Sequence, residues 1–364
     1  MQAQRHATSS LRRLSARALA FRGLVAIGAL FLAGCATPPA ADSEHGPSLS
    51  RAARDRTGLR DLRAEFRVEL CSRLDAKADR PCADVLVAAA DEAPAPPPVA
   101  ATVPVASRFR IAIVPGLLAE CLKPAARPFV DAIAALREQG FEVVDMAVGG
   151  RTSSVANAAL LASEIAALPD DGRPLIMFAY SKGLPDALEM AVRYPQAGKR
   201  VAAIVGIAGA FGGSPLAEDN ESLYRATLMR LPFDRCAAGD GEELRDLRRD
   251  VRQAWWSEHG AQVGIPLYSI AALPDSDQLS PALKLSYSKL AKIDPLNDSQ
   301  LLLGDAVAVP GALLGFVNAD HWGIAMRLSE AMPLLAPLFE DDVPRAALLR
   351  AAIEVVARDL AQAR

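Results

Sequence analysis

Leu175-Ile-Met-Phe-Ala-Tyr-Ser-Lys-Gly183 runs directly into Leu184-Pro-Asp-Ala-Leu-Glu-Met-Ala-Val-Arg-Tyr194, and the join between the two stretches decides the fold. Residues 175–179 are all apolar, which suits a strand covered on both faces. The next stretch has helical character, with Pro185 in its first turn, where a missing N–H costs no hydrogen bond. A covered strand that turns sharply into a helix is half of a β-α-β unit, and such units build parallel sheets. Ser181 stands at the turn. Ala179 and Gly183 flank it with small side chains, where neighbouring backbones must pass closely.

Outward from this join, the same alternation continues through residues 108–364. Short apolar runs at 109–114, 141–148, 201–207, 266–271 and 313–317 join 175–179 to make six strands as a minimum. Helices are predicted between them. One over 127–139 is stopped by Gly140, one over 154–168 follows a Ser/Thr-rich cap and precedes Pro169, and one over 344–364 closes the domain. The expectation is an α/β fold, a mostly parallel sheet with helices on both faces. Residues 51–90, with Leu59, Leu62, Phe66 and Leu70 at helical spacing, predict a small helical appendage, and the Pro-rich 91–107 a linker.

A serine needs a base to act as a nucleophile, and the chain has four histidines. His6 falls in the N-terminal leader and His45 in a polar tether. His259 and His321 remain, and His321 follows the last predicted strand. Strand, serine turn and helix together resemble the nucleophile elbow of the α/β-hydrolase superfamily, within it the bacterial lipases and esterases, over roughly residues 108–338. Ala179 stands for the first Gly of their Gly-x-Ser-x-Gly. Gly212-Gly-Ser-Pro-Leu-Ala217 is similar to a lipase stretch that usually reads Pro-His-x-Gly-Ser, without its His. Asn297-Asp-Ser299 is similar to the lipase Asn-Asp-Gly segment that carries the acid, with Ser in place of Gly.

The resemblance implies a serine hydrolase of carboxylic esters, with no cofactor and a small-molecule or lipid ester as substrate. Ser181 would be the nucleophile and His321 the base, in the family's chain order of Ser, Asp, His. Asp298 is the favoured acid. Asp275 and Asp277, just after a predicted strand, are the alternatives, while Asp320 adjoins His321 and would point elsewhere. The oxyanion donors would be the backbone N–H groups of Lys182 and of Leu117 in Val114-Pro-Gly-Leu-Leu118. The alternative is a lipid-anchored envelope protein that keeps the scaffold without catalysis. A dinucleotide loop at 206–212 lacks the Gly-x-Gly-x-x-Gly spacing.

Residues 210–264 exceed a simple connection. They predict an insertion containing a charged helix with Leu244, Leu247 and Val251 along one side, then Trp255-Trp256. A cap over the site and a surface helix packed on the body are both open readings.

Residues 1–34 carry five arginines and no acid, then an apolar run ending Leu32-Ala-Gly-Cys35. This is a secretory leader whose ending resembles the bacterial lipobox. It implies cleavage before Cys35, lipid on that cysteine and membrane attachment through it, with residues 35–50 as the tether. Ala36, rather than Asp, after Cys35 suggests the outer membrane, facing the periplasm. Loss of the leader takes the net charge from −3 to about −8, which disfavours nucleic acid as a partner. In an oxidising compartment Cys71 would pair with Cys82 and Cys121 with Cys236, though other connectivities are open. No Cys or His spacing suggests a metal site.

Overall fold

The computed structural model describes residues 58–363 except 90, 93, 95–103, 123 and 219–239. In chain order the main elements are β1 (Leu59–Asp61), α1 (Arg63–Cys71), β2 (Arg110–Val114), α2 (Val130–Glu138), β3 (Val143–Asp145), α3 (Ser154–Ala167) and β4 (Leu175–Tyr180). They continue with α4 (Gly183–Arg193), β5 (Val201–Ile207), α5 (Arg249–His259), β6 (Leu267–Ala272), α6 (Lys284–Ala291), β7 (Gly311–Val317) and α7 (Arg345–Gln362). The strands form one sheet in the order β1-β7-β6-β5-β4-β2-β3, parallel throughout. This is the parallel α/β sheet that the strand–turn–helix pattern predicts, with one strand beyond the minimum of six.

The period of two along a strand explains how the sheet serves two cores. Ile111, Ile113, Ile176 and Phe178 pack with α1, α2 and α7 on one face. Ala112, Val114, Met177 and Ala179 pack with α3 and α4 on the other. Both faces are covered, so β2 and β4 are buried at every position. Local signals end the helices as expected: Gly140 takes φ +85° after α2, and the Ser153 side chain accepts the Ala156 N–H at the start of α3.

The segment read as a helical appendage also supplies the sheet's seventh strand. Leu59–Asp61 pairs with β7, and Leu86 makes a bridge to Val317. Three residues containing an arginine and an aspartate carry no apolar run, so the strand has no local signature. Cys71 and Cys82 are disulfide-bonded, with Cα atoms 5.3 Å apart. Cys236 lies outside the described residues, and the second pairing with it.

Of the insertion, residues 219–239 lie outside the described part. What is described packs on the body. Trp255 of α5 donates from its indole N–H to Glu189 of α4, and Trp256 sits against Phe211 with ring centroids 4.6 Å apart. Among the described residues no helix is long and apolar enough to cross a membrane. Residues 1–34, read as a leader, and 35–50, read as a tether beginning at Cys35, also lie outside them.

Candidate active site

The site forms at the carboxyl ends of β4, β5 and β7, where an open α/β sheet leaves room between diverging connections. Ser181 leaves β4 with φ +51°, a left-handed conformation that costs a non-glycine residue energy and must be held by its surroundings. Its N–H donates to the Ile207 carbonyl, and its own carbonyl accepts from Leu184 and Ala210. Two glycines make the room. A Cβ on Gly183 would fall 2.6 Å from the Val114 carbonyl oxygen, and one on Gly116 would fall 2.9 Å from the Ser181 Cβ.

His321 Nε2 lies 2.9 Å from Ser181 Oγ, and His321 Nδ1 lies 2.7 Å from Asp298 Oδ2. Asp298 and His321 are buried. The other Asp298 oxygen accepts the N–H groups of Gln300 and Leu301 at 2.8 and 2.7 Å, and the Asp298 carbonyl accepts the His321 N–H. These bonds hold the carboxylate in the orientation that fixes an imidazole tautomer. A carboxylate on Nδ1 leaves Nε2 as the acceptor facing the serine hydroxyl.

Asp275 and Asp277 stand apart from this line. Asp275 accepts from Asn318 Nδ2 and from the N–H groups of Asp277 and Gln278, closing the loop after β6. Asp277 is exposed, with Ser276 Oγ donating to it. Asp320 points away from the imidazole and accepts from the N–H groups of Ser280, Trp322 and Gly323. Burial pushes its carboxyl up to about 6, against those three donors. His259 is placed on α5 against Trp255, beside Gln262.

Gly116 brings the loop 115–118 against the serine. Among the described residues, neither the Leu117 nor the Lys182 N–H finds a protein acceptor. A pair of unengaged backbone donors beside a nucleophile is what a developing oxyanion requires. The stretch 212–217 braces the acid loop: Gly212 N–H donates to the Asp305 carbonyl, and Ser214 Oγ to the Gln300 carbonyl.

Two solved structures are similar to the chain. The metagenomic carboxyl esterase MGS0156 is 35% identical, the match covering 86% of this chain and 97% of that one, with a TM-score of 0.78. The chain belongs to the α/β-hydrolase fold family. The mature Bacillus licheniformis lipase BlEst2 is also similar in structure, 18% identical over 66% of this chain and 95% of that one, with a TM-score of 0.48. No protein-family model and no curated protein matches the sequence.

This hydrolase site also contains residues that the sequence reading passed over. The Tyr180 hydroxyl donates to the His321 carbonyl at 2.7 Å, and its ring packs beside the imidazole with centroids 5.3 Å apart. Burial, with the Asp298 and Asp320 charges, pushes the phenol well above its ordinary range, so it stays a donor. Asp186, four residues after Lys182, forms a buried ion pair with it. That spacing is the one signal that pointed to it. Among the described residues no cluster of His, Cys, Asp and Glu is arranged to hold a metal ion.

Proposed function

We propose that the chain hydrolyses carboxylic esters through an acyl-enzyme on Ser181. His321 Nε2 takes the proton from Ser181 Oγ as that oxygen adds to the ester carbonyl. The carbonyl oxygen becomes an oxyanion beside the Lys182 and Leu117 N–H groups. The intermediate collapses with cleavage of the ester C–O bond, and His321 returns the proton to the departing alcohol. Water then repeats the sequence: His321 deprotonates it, it attacks the acyl carbon, and Ser181 leaves with the proton. Asp298 holds the imidazole and offsets its transient positive charge.

The observation that carries this reading is the line Ser181 Oγ, His321, Asp298 at 2.9 and 2.7 Å. Similarity to a carboxyl esterase supports the ester as substrate class. The test is hydrolysis of p-nitrophenyl esters by the leaderless chain and by Ser181→Ala. The substitution is expected to lower kcat by at least about a thousandfold. Equal rates in the two would end the proposal. The leader adds a setting to the activity: we place the protein in the bacterial envelope, held by lipid on Cys35.

A further inference from the structure

Beneath the elbow lies a buried polar path that the reaction sequence above does not use. Lys182 and Asp186 are each 1% exposed, and the Lys182 ammonium donates to Asp186 Oδ1 at 2.6 Å. Lys182 Nζ also reaches Ser154 Oγ at 3.4 Å. The second carboxylate oxygen, Oδ2, accepts from Asn157 Nδ2 at 2.8 Å. The Asn157 amide in turn clamps Gly149, accepting its N–H at 2.8 Å and donating to its carbonyl at 3.1 Å. The next carbonyl, that of Gly150, accepts the Leu118 N–H at 2.8 Å. Leu118 is left-handed at φ +60°, a conformation that needs such an anchor.

The two ends of this path are the neighbours of the two oxyanion donors. Lys182 carries one donor on its own backbone, and Leu118 follows the residue that carries the other. Burying an ammonium and a carboxylate is costly unless geometry repays it, and an apolar pair would fill the same space more cheaply. We infer that Asp186 is a positioning residue for both oxyanion donors. It holds Lys182 through the ammonium, and the 116–118 loop through Asn157 and residues 149–150. The inference rests on the hydrolase reading of Ser181.

The test uses Asp186→Asn, Lys182→Met and the double variant in the leaderless chain, each titrated to completion with a fluorophosphonate so that rates refer to active sites. Removing an oxyanion donor outright lowers kcat by about a hundred- to a thousandfold, and misaiming one costs less. Each single variant is therefore expected to lose about ten- to a hundredfold in kcat per titrated site, with KM within about threefold. The double variant should lose no more than Asp186→Asn alone, because removing the carboxylate already releases both ends of the path. A kcat per site within about twofold of wild type would overturn the inference, whatever happens to the melting temperature. If Asp186→Asn does not fold, Lys182→Met decides on the same reading. A wild type that takes up no phosphonate removes the hydrolase reading and this inference together, whereas a labelled wild type with unaffected variants removes this inference alone.

Discussion

Ser181 and Ser299 both occupy left-handed backbone, at φ +51° and +82°. Around Ser181 the strain has a purpose, since it lifts the hydroxyl off the end of β4 toward His321, and three backbone hydrogen bonds hold it there. Ser299 has no such return. It lies in the tight turn that lets Gln300 and Leu301 donate to Asp298, it is fully buried, and among the described residues its hydroxyl has no hydrogen-bond partner. The turn needs positive φ, which explains why the similar lipase segment carries glycine there. Ser299→Gly relieves the left-handed cost, roughly 1–2 kcal/mol, and removes a buried unpaired hydroxyl, against an entropic loss of about 0.5–1 kcal/mol. The variant is expected to be more stable by about 1 kcal/mol in urea titrations, with kcat on p-nitrophenyl esters within about twofold. A loss of stability would show that the hydroxyl has a role in holding Asp298.

Among the elements, β1 and α1 change the most in meaning between sequence and structure. Phe66 of α1 is fully buried against the face of β7, where a Cβ on Gly315 would sit 3.0 Å from its ring. The chain beyond α1 grips the end of the same strand: Asn318 N–H donates to the Val85 carbonyl, and Asn318 Nδ2 to the Asp84 carbonyl at 3.2 Å. Asn318 is three residues before His321, so the N-terminal segment braces the strand end that leads to His321. Phe66→Ala is expected to destabilise the whole domain by about 3–5 kcal/mol, the range for emptying an aromatic core site. A single cooperative transition at a lower midpoint is the expected curve. A separate early transition, with the main midpoint unchanged, would mean that α1 folds as an independent appendage. The described part of the insertion belongs to the same scale. α5 is bound to α4 through Trp255 and Glu189, and Arg252 lies buried with its guanidinium 4.7 Å from the Trp255 ring.

For the molecule as a whole, the proposed leader and the Cys71–Cys82 disulfide bear on one proposed setting. A Cys71–Cys82 disulfide suits an oxidising compartment, as would export by the proposed leader ending Leu32-Ala-Gly-Cys35. Expression of the full chain in a bacterium fed radiolabelled palmitate is expected to label the protein, and Cys35→Ser to abolish the label while the protein accumulates with its leader uncut. Labelling that persists in Cys35→Ser would remove the lipid-anchor proposal and leave the hydrolase reading intact. The sequence by itself determined the strand–turn–helix at Ser181, the parallel sheet and its two covered faces, because torsional preference, side-chain size and hydrophobic period act over a few residues. Four histidines, two of them in the expected leader and tether, left His259 and His321 as candidates for the proposed base. Only the tertiary structure decided that Asp298 rather than Asp275 or Asp277 meets His321, that Leu59–Asp61 completes the sheet, and that Asp186 joins Lys182 to Asn157. Those pairings link residues whose local patterns are ordinary, and which of them meet depends on how the packed sheet and helices bring distant loops together.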